Sequence, residues 1–161
     1  MASQAMVVMA PQPANLSDRT TSVFLAGITT STGDTDWRQA FTDALINYPI
    51  TILNPNRPDW DSTWREDFSD KRWVEQVSWE LDMQEAANII VFMFHEATEA
   101  PISLMELGLA VRTKPVIVCA HPDYKKRGNV DAVCRRFGVK LLSTLEELVD
   151  CLIAMLDHRS K

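Results

Sequence analysis

Cysteine is scarce in this chain of 161 residues: Cys119, Cys134 and Cys151 are odd in number and show no Cys-x-x-Cys spacing. That pattern argues against a disulfide framework and against a zinc site built from Cys and His. Histidine is equally sparse, and His95, His121 and His158 lie too far apart for a local metal motif. There are only five glycines. Gly27 and Gly33 are six apart with no Gly-Lys-Ser/Thr after them, so neither the dinucleotide fingerprint nor a P-loop is present. Basic residues are outnumbered, 16 Lys and Arg against 22 Asp and Glu, for a net charge of -6. General affinity for a nucleic acid polymer or an anionic membrane is therefore not expected. No apolar run reaches transmembrane length. The amino terminus lacks a basic region, and its apolar stretch is confined to Ala5–Ala10 before Pro11, so no signal peptide is expected and the setting reads as reducing and cytoplasmic.

What is present is the material of one globular domain, 46% hydrophobic and 24% charged. Residues 1–20 read as a flexible arm, because Pro11, Pro13, Asn15, Ser17 and Asp18 follow one another without periodicity. From residue 21 to 161, short β-rich runs alternate with helical patterns. Ser22–Ala26, Ile50–Leu53, Ile89–Phe94, Pro115–Ala120 and Val139–Leu142 read as strands. Asp36–Tyr48, Arg72–Ala87, Pro101–Arg112, Asn129–Phe137 and Thr144–Asp157 read as helices. Strands apolar on both faces and separated by helices predict an α/β fold, flavodoxin-like or Rossmann-like, with a five-stranded parallel sheet and helices on both faces. Ligands of such sheets bind beyond the carboxyl ends of the strands.

Those ends carry the informative residues. Gly27-Ile28-Thr29-Thr30-Ser31-Thr32-Gly33-Asp34 offers two glycines and four hydroxyls, suited to cradling a sugar or phosphate, or simply to a solvated turn. Asn54-Pro55-Asn56-Arg57-Pro58-Asp59-Trp60 follows the second strand, with Trp64 and Trp73 beyond it. These tryptophans either cover a flat ligand or fold back on the core or an oligomer interface. Gln76, Glu80 and Gln84 share one line of a helix, with Glu80 at the border of its apolar face. The strongest anomaly is Pro101–Val111, a helical stretch whose one charge, Glu106, sits among Ile, Leu, Met, Ala and Val. A helix apolar all round is expected to be buried. A carboxylate within it is either a nucleophile or acid/base group facing a cleft, or a structural group bonded to backbone N–H groups.

The segments FLAG, ILNPNR, QVSWELDMQEAANIIVFMF, PISLMELGLA and RGNV together resemble the nucleoside 2-deoxyribosyltransferase family over roughly residues 22 to 155. Its wider superfamily includes hydrolases of nucleoside 5′-monophosphates. The resemblance implies a Glu nucleophile in the ELG motif, here Glu106, and an acidic partner on the preceding helix, here Glu80. It implies a donated asparagine in the Gly128-Asn129-Val130 segment, and so a homodimer or higher homo-oligomer with shared active sites. The candidate substrate contacts are Gly27, Thr29, Asn54, Arg57, Trp60, Asn88, Ser103 and Asn129, with a nucleoside or nucleotide as substrate, a nucleobase as acceptor, and neither cofactor nor metal. The chain departs from the family pattern in three places. Asn88 stands where Asp is common, Ala100 stands where the well-studied transferases carry an acid, and Phe24 lies near the place of an orienting tyrosine. Transfer of the sugar, hydrolysis of the glycosidic bond, and nucleoside binding without turnover all remain open. A phosphoacceptor receiver domain does not, because the third strand ends Phe92-Met93-Phe94-His95 without an Asp.

Overall fold

The computed structural model describes residues 4–29, 33 and 35–159. Six parallel strands form one sheet: β1 (Met6–Met9), β2 (Thr21–Gly27), β3 (Ile50–Asn54), β4 (Ile89–Phe94), β5 (Val116–Ala120) and β6 (Leu141–Leu142), in the order β1-β3-β2-β4-β5-β6. The helices are α1 (Trp37–Ala44), α2 (Lys71–Ala86), α3 (Pro101–Ala110), α4 (Arg127–Arg136) and α5 (Leu145–Arg159). Among the described residues no helix is long and apolar enough to cross a membrane.

The central strands β2 and β4 alternate their side chains between two layers of core. Phe24, Ala26, Ile90, Phe92 and Phe94 face α2, α3 and α4, while Val23, Leu25, Val91 and Met93 face α1 and α5. Side chains of a strand point alternately to opposite faces, so a central strand covered by helices on both sides must be apolar at every position. The closing helix α5 spends Leu148 and Leu152 on the second layer, as ordinary core.

The sheet has six strands rather than the expected five, and the sixth comes from the segment expected to be a loose arm. Met6–Met9 pairs in parallel with β3, from Met6 opposite Thr51 to Met9 opposite Asn54. Downstream, Ala10 N–H donates to Asn54 O at 2.9 Å and Trp79 Nε1 donates to Gln12 O at 2.7 Å. The reason lies in β3, whose five residues are all buried. Without β1 its outer edge would present a row of unpaired backbone groups.

A second correction concerns α3. It is not buried all round: Ser103, Glu106, Leu107 and Ala110 face inward, whereas Ile102, Met105 and Leu109 are 58%, 58% and 60% exposed.

Strand order reverses between β2 and β4, the place where an open α/β sheet forms its crevice. Gly27 ends β2 there with φ of 134°, and a Cβ on it would lie 2.3 Å from Met93 O. Only glycine permits so close an approach of the two strands.

Candidate active site

Two groups of side chains flank this switch point. On the α2–α3 side the group is acidic, with Glu106 and Gln84 buried and Glu80 and Gln76 half-buried. Glu106 is 8% exposed and its Oε1 accepts from Gln84 Nε2 at 2.9 Å, a side-chain amide rather than the backbone. Burial is the main cause that pushes its carboxyl up to about 7, with the charge of Glu80 adding to the rise and Gln84 and Arg38 opposing it. Glu80 is raised above the ordinary carboxyl range by burial, against a hydrogen bond from Gln76 and the charge of Arg38. Gln76 Nε2 donates to both Glu80 Oε1 and Pro55 O at 2.7 Å, and its Oε1 is a buried acceptor without a partner among the described residues. The helical line of Gln76, Glu80 and Gln84 thus becomes a ladder of amides and acids ending on Glu106.

Arg38 joins this group to the strand ends. It is 1% exposed, and its guanidinium donates to Leu25 O, Ile28 O and Gly27 O at 3.2, 2.6 and 3.1 Å. Burial lowers it to about 10, so it remains a cation at neutral pH, within electrostatic reach of both Glu106 and Glu80. Arg38 occupies the first turn of α1, where the Asp36 carboxylate caps its N–H at 3.0 Å. From sequence it was legible only as a positive charge near the glycine loop. Its burial is compensated by the three carbonyls it reaches at the end of β2 and just beyond it.

On the α1–α5 side lies an open cleft of about 660 Å³ beyond the ends of β2, β4, β5 and β6. Its walls include Ile28, Trp37, Met93, Cys119 and Leu145, and its polar rim includes Thr29, Asn56, His95, His121, Ser143 and Thr144. Glu106 and Glu80 are not among its lining residues, whereas Arg38 is.

His95 and His121 each follow the last residue of adjacent strands, with ring centroids 5.3 Å apart. Sequence distance concealed this pairing. The signal available was that both histidines occupy the same position relative to a strand end.

Glu96, His121 and Asp123 place potential ligand atoms within 4.8 Å of one another. However, His121 Nδ1 accepts the backbone N–H of Asp123 at 3.1 Å, which puts the ring proton on Nε2. A cation would have to displace that proton or break the turn, so the donor set does not fit a metal centre.

The sequence-selected residues divide accordingly. Thr29 lines the cleft, whereas Gly27 does not and accepts from Arg38 through its carbonyl. Thr30, Ser31, Thr32 and Asp34 lie outside the described residues. Ser103 is buried one turn before Glu106 on the same face of α3. Asn54 is buried at the end of β3, where its Oδ1 accepts the N–H of Asn56 at 3.0 Å and shapes the loop. Arg57 is committed to Asp59 and Glu75 at 2.8 and 2.7 Å and covers the ring of Trp64. Trp64 is buried between Arg57 and Arg72, so it folds back rather than covering a ligand. Trp60 is 55% exposed and does not line the cleft.

Asn88 is corrected. It precedes β4 at the amino end of the sheet, where its Oδ1 accepts from Ser22 N–H and Oγ at 2.8 and 3.0 Å. Its role is to tie β2 to β4 at the edge opposite the crevice. Asn129 is exposed in the first turn of α4 and does not line the cleft of its own chain.

No curated protein matches this sequence. Among solved structures, a conserved protein from Enterococcus faecalis V583 superposes with a TM-score of 0.56 at 14% identity, covering 81% of this chain and 96% of that one. The likeness shows a shared fold. The family model described as nucleoside 2-deoxyribosyltransferase like matches residues 20–124, which span β2 through the turn after β5 and include Arg38, Glu80 and Glu106. With most of the chain matched, and with the acid-bearing helices inside the match, this protein belongs to the nucleoside 2-deoxyribosyltransferase-like family.

Proposed function

We propose that this protein cleaves the N-glycosidic bond of nucleosides or nucleotides through Glu106 and passes the sugar to a second nucleobase. The observation that carries the reading is a buried acid bound by a side-chain amide, within electrostatic reach of a second, half-buried acid, at the switch point of an α/β sheet. A Glu106 oxygen bonds to the anomeric carbon as the bond from that carbon to the base nitrogen breaks, and the electron pair leaves with the base. Glu80, which holds its proton to higher pH than an ordinary carboxyl, supplies the proton that the departing nitrogen takes up. The incoming base then attacks the glycosyl ester, returns a proton to Glu80 and frees Glu106, so configuration is retained. Water in place of the base gives the hydrolase outcome.

Arg38 opposes the rise of Glu106 and so favours the anion that must attack. The unpartnered Gln76 Oε1 next to Glu80 is an acceptor suited to an N–H of the base. Gly27, Thr29, Asn54, Arg57, Trp60 and Ser103 are the proposed surroundings of the substrate. The exposed stripe of Ile102, Met105 and Leu109, on the helix that carries Glu106, supports a homo-oligomer in which a second copy covers α3 and contributes Asn129.

The test is product analysis of a 2′-deoxynucleoside incubated with and without a free acceptor base. A swapped nucleoside identifies transfer, and free sugar in both tubes identifies hydrolysis. Glu106→Ala is expected to abolish both while circular dichroism remains native. A folded Glu106→Ala protein with undiminished turnover would end this assignment. Met105→Glu with Leu109→Glu is expected to lower the sedimentation mass, and an unchanged mass would remove α3 from the interface.

A further inference from the structure

We propose that Gln76 is the positioning residue for the acid that protonates the departing base: its amide, locked between Pro55 O and Glu80 Oε1, confines the Glu80 proton to Oε2. The inference rests on the glycoside reading for the chemistry that this proton serves, while the amide geometry stands apart from it. Gln76 and Glu80 lie one turn apart on α2. Gln76 Nε2 donates both of its protons at 2.7 Å, one to the Pro55 carbonyl and one to Glu80 Oε1.

The partners do not permit this amide to turn round. The Pro55 carbonyl only accepts, so a flipped amide would set one oxygen against another. The orientation is kept although it leaves Gln76 Oε1 buried and without a partner among the described residues. An unpaired buried acceptor is destabilising, so the end of the amide that faces Glu80 is held at the expense of the other.

The consequence falls on the acid. A carboxyl that receives an N–H on one oxygen carries its proton on the other, because an O–H at the first would face the amide proton. With Oε1 engaged, Oε2 of Glu80 is the atom that releases and recovers the proton. In cleavage the Oε2–H bond breaks as its proton bonds to the departing base, and the electron pair of that bond stays on the carboxylate. Two charged groups are coupled to this acid: Arg38 from α1, which favours its anion, and Glu106 from α3, to whose own rise Glu80 adds. Both act through space and neither selects an oxygen, so the choice of atom belongs to Gln76. Gln84 repeats the device one turn further along α2, donating to Glu106 Oε1 at 2.9 Å and leaving Oε2 to bond the anomeric carbon.

The experiment compares 2′-deoxyguanosine with 7-methyl-2′-deoxyguanosine as substrates. The methylated ring already bears a positive charge, which the electron pair of the broken bond neutralises, so its departure needs no proton. Gln76→Met is expected to lower kcat on 2′-deoxyguanosine at least about tenfold and to leave that on the methylated nucleoside within about twofold of the parent. Glu80→Gln is expected to show the same split more steeply. Gln76→Asn, whose amide is too short to span both partners, is expected to follow Gln76→Met and serves if that variant does not fold. Equal losses on the two nucleosides overturn the proposal, since a merely structural side chain would slow both alike. The Glu80 carboxyl, followed by ¹³C NMR, is expected to titrate higher in Gln76→Met than in the parent, because the hydrogen bond that lowers it is gone. An unchanged titration also overturns the proposal. If the parent cleaves neither purine nucleoside, the titration alone decides whether Gln76 governs Glu80, and the glycoside reading falls only if pyrimidine deoxynucleosides survive as well.

Discussion

The two flanks of the β2–β4 switch point are built on opposite principles. The α2–α3 flank buries the Glu106 carboxylate and half-buries that of Glu80, and gives them amide partners from Gln84 and Gln76. The α1–α5 flank is open to solvent and lined at its rim with imidazole and hydroxyl groups. Burial changes the chemistry of an acid far more than that of a neutral donor, because desolvation penalises the charged form. The acids are therefore where proton affinity is altered. Arg38 stands between the two, a cation satisfied by three carbonyls.

The largest effect that would break this contrast is on turnover. Removing a covalent nucleophile costs about a thousandfold or more in rate, so Glu106→Gln is expected to lose detectable glycoside cleavage in a product assay. Undiminished cleavage by a folded Glu106→Gln protein would erase the contrast.

Next in size is Arg38→Met. It removes the guanidinium bonds to Leu25 O, Gly27 O and Ile28 O, of which Ile28 O keeps Trp37 Nε1, and it takes from Glu106 and Glu80 the cation that acts on both, for an expected loss of about 3 kcal/mol in denaturant unfolding. In any population that stays folded, the Glu106 carboxyl is expected to titrate higher than in the parent when followed by ¹³C NMR. Unchanged titration would mean that Arg38 serves the β2–α1 turn alone.

A comparable effect appears with pH. The Glu106 carboxyl is raised from the ordinary 4.5 to about 7 in the folded protein, so the folded state holds a proton that the unfolded chain has released. Its contribution is fully present below about pH 4.5 and is lost as pH rises toward about 7, an expected fall of about 3 kcal/mol. Glu80 shifts in the same direction. Glu106→Gln is expected to flatten that fall. An equally steep decline in the variant would place its origin elsewhere.

The smallest effect concerns backbone geometry. Ala100 caps α3 at φ 45° and ψ 57°, a left-handed conformation that an L-residue adopts at a cost. Ala100→Gly is expected to stabilise the fold by about 0.5 kcal/mol after the entropy that glycine adds to the unfolded chain. A loss of stability instead would show that the Ala100 methyl, which is buried, contributes more by packing than the conformation costs.

Much of this molecule was legible from the chain. Runs such as IIVFMF can be satisfied only in a covered parallel sheet, and Glu106 stands out as one charge in a greasy helix. The edge strand was not legible, because four residues before a proline carry too little pattern until β3 offers them a partner. Asn88 misled for a related reason: it adjoins a strand, but at the amino end, and a motif carries no sense of which end of the sheet it occupies.

Outside the edge strand, local pattern settled what the segments become, since periodicity and caps act within a few residues. Only the packed sheet settled which distant groups meet. It brought Gln84 under Glu106, carried Arg38 into the bend at Gly27, and set His95 beside His121 across neighbouring strands. Those contacts depend on strand order and register, which are decided by the burial of whole faces rather than by any single stretch of sequence.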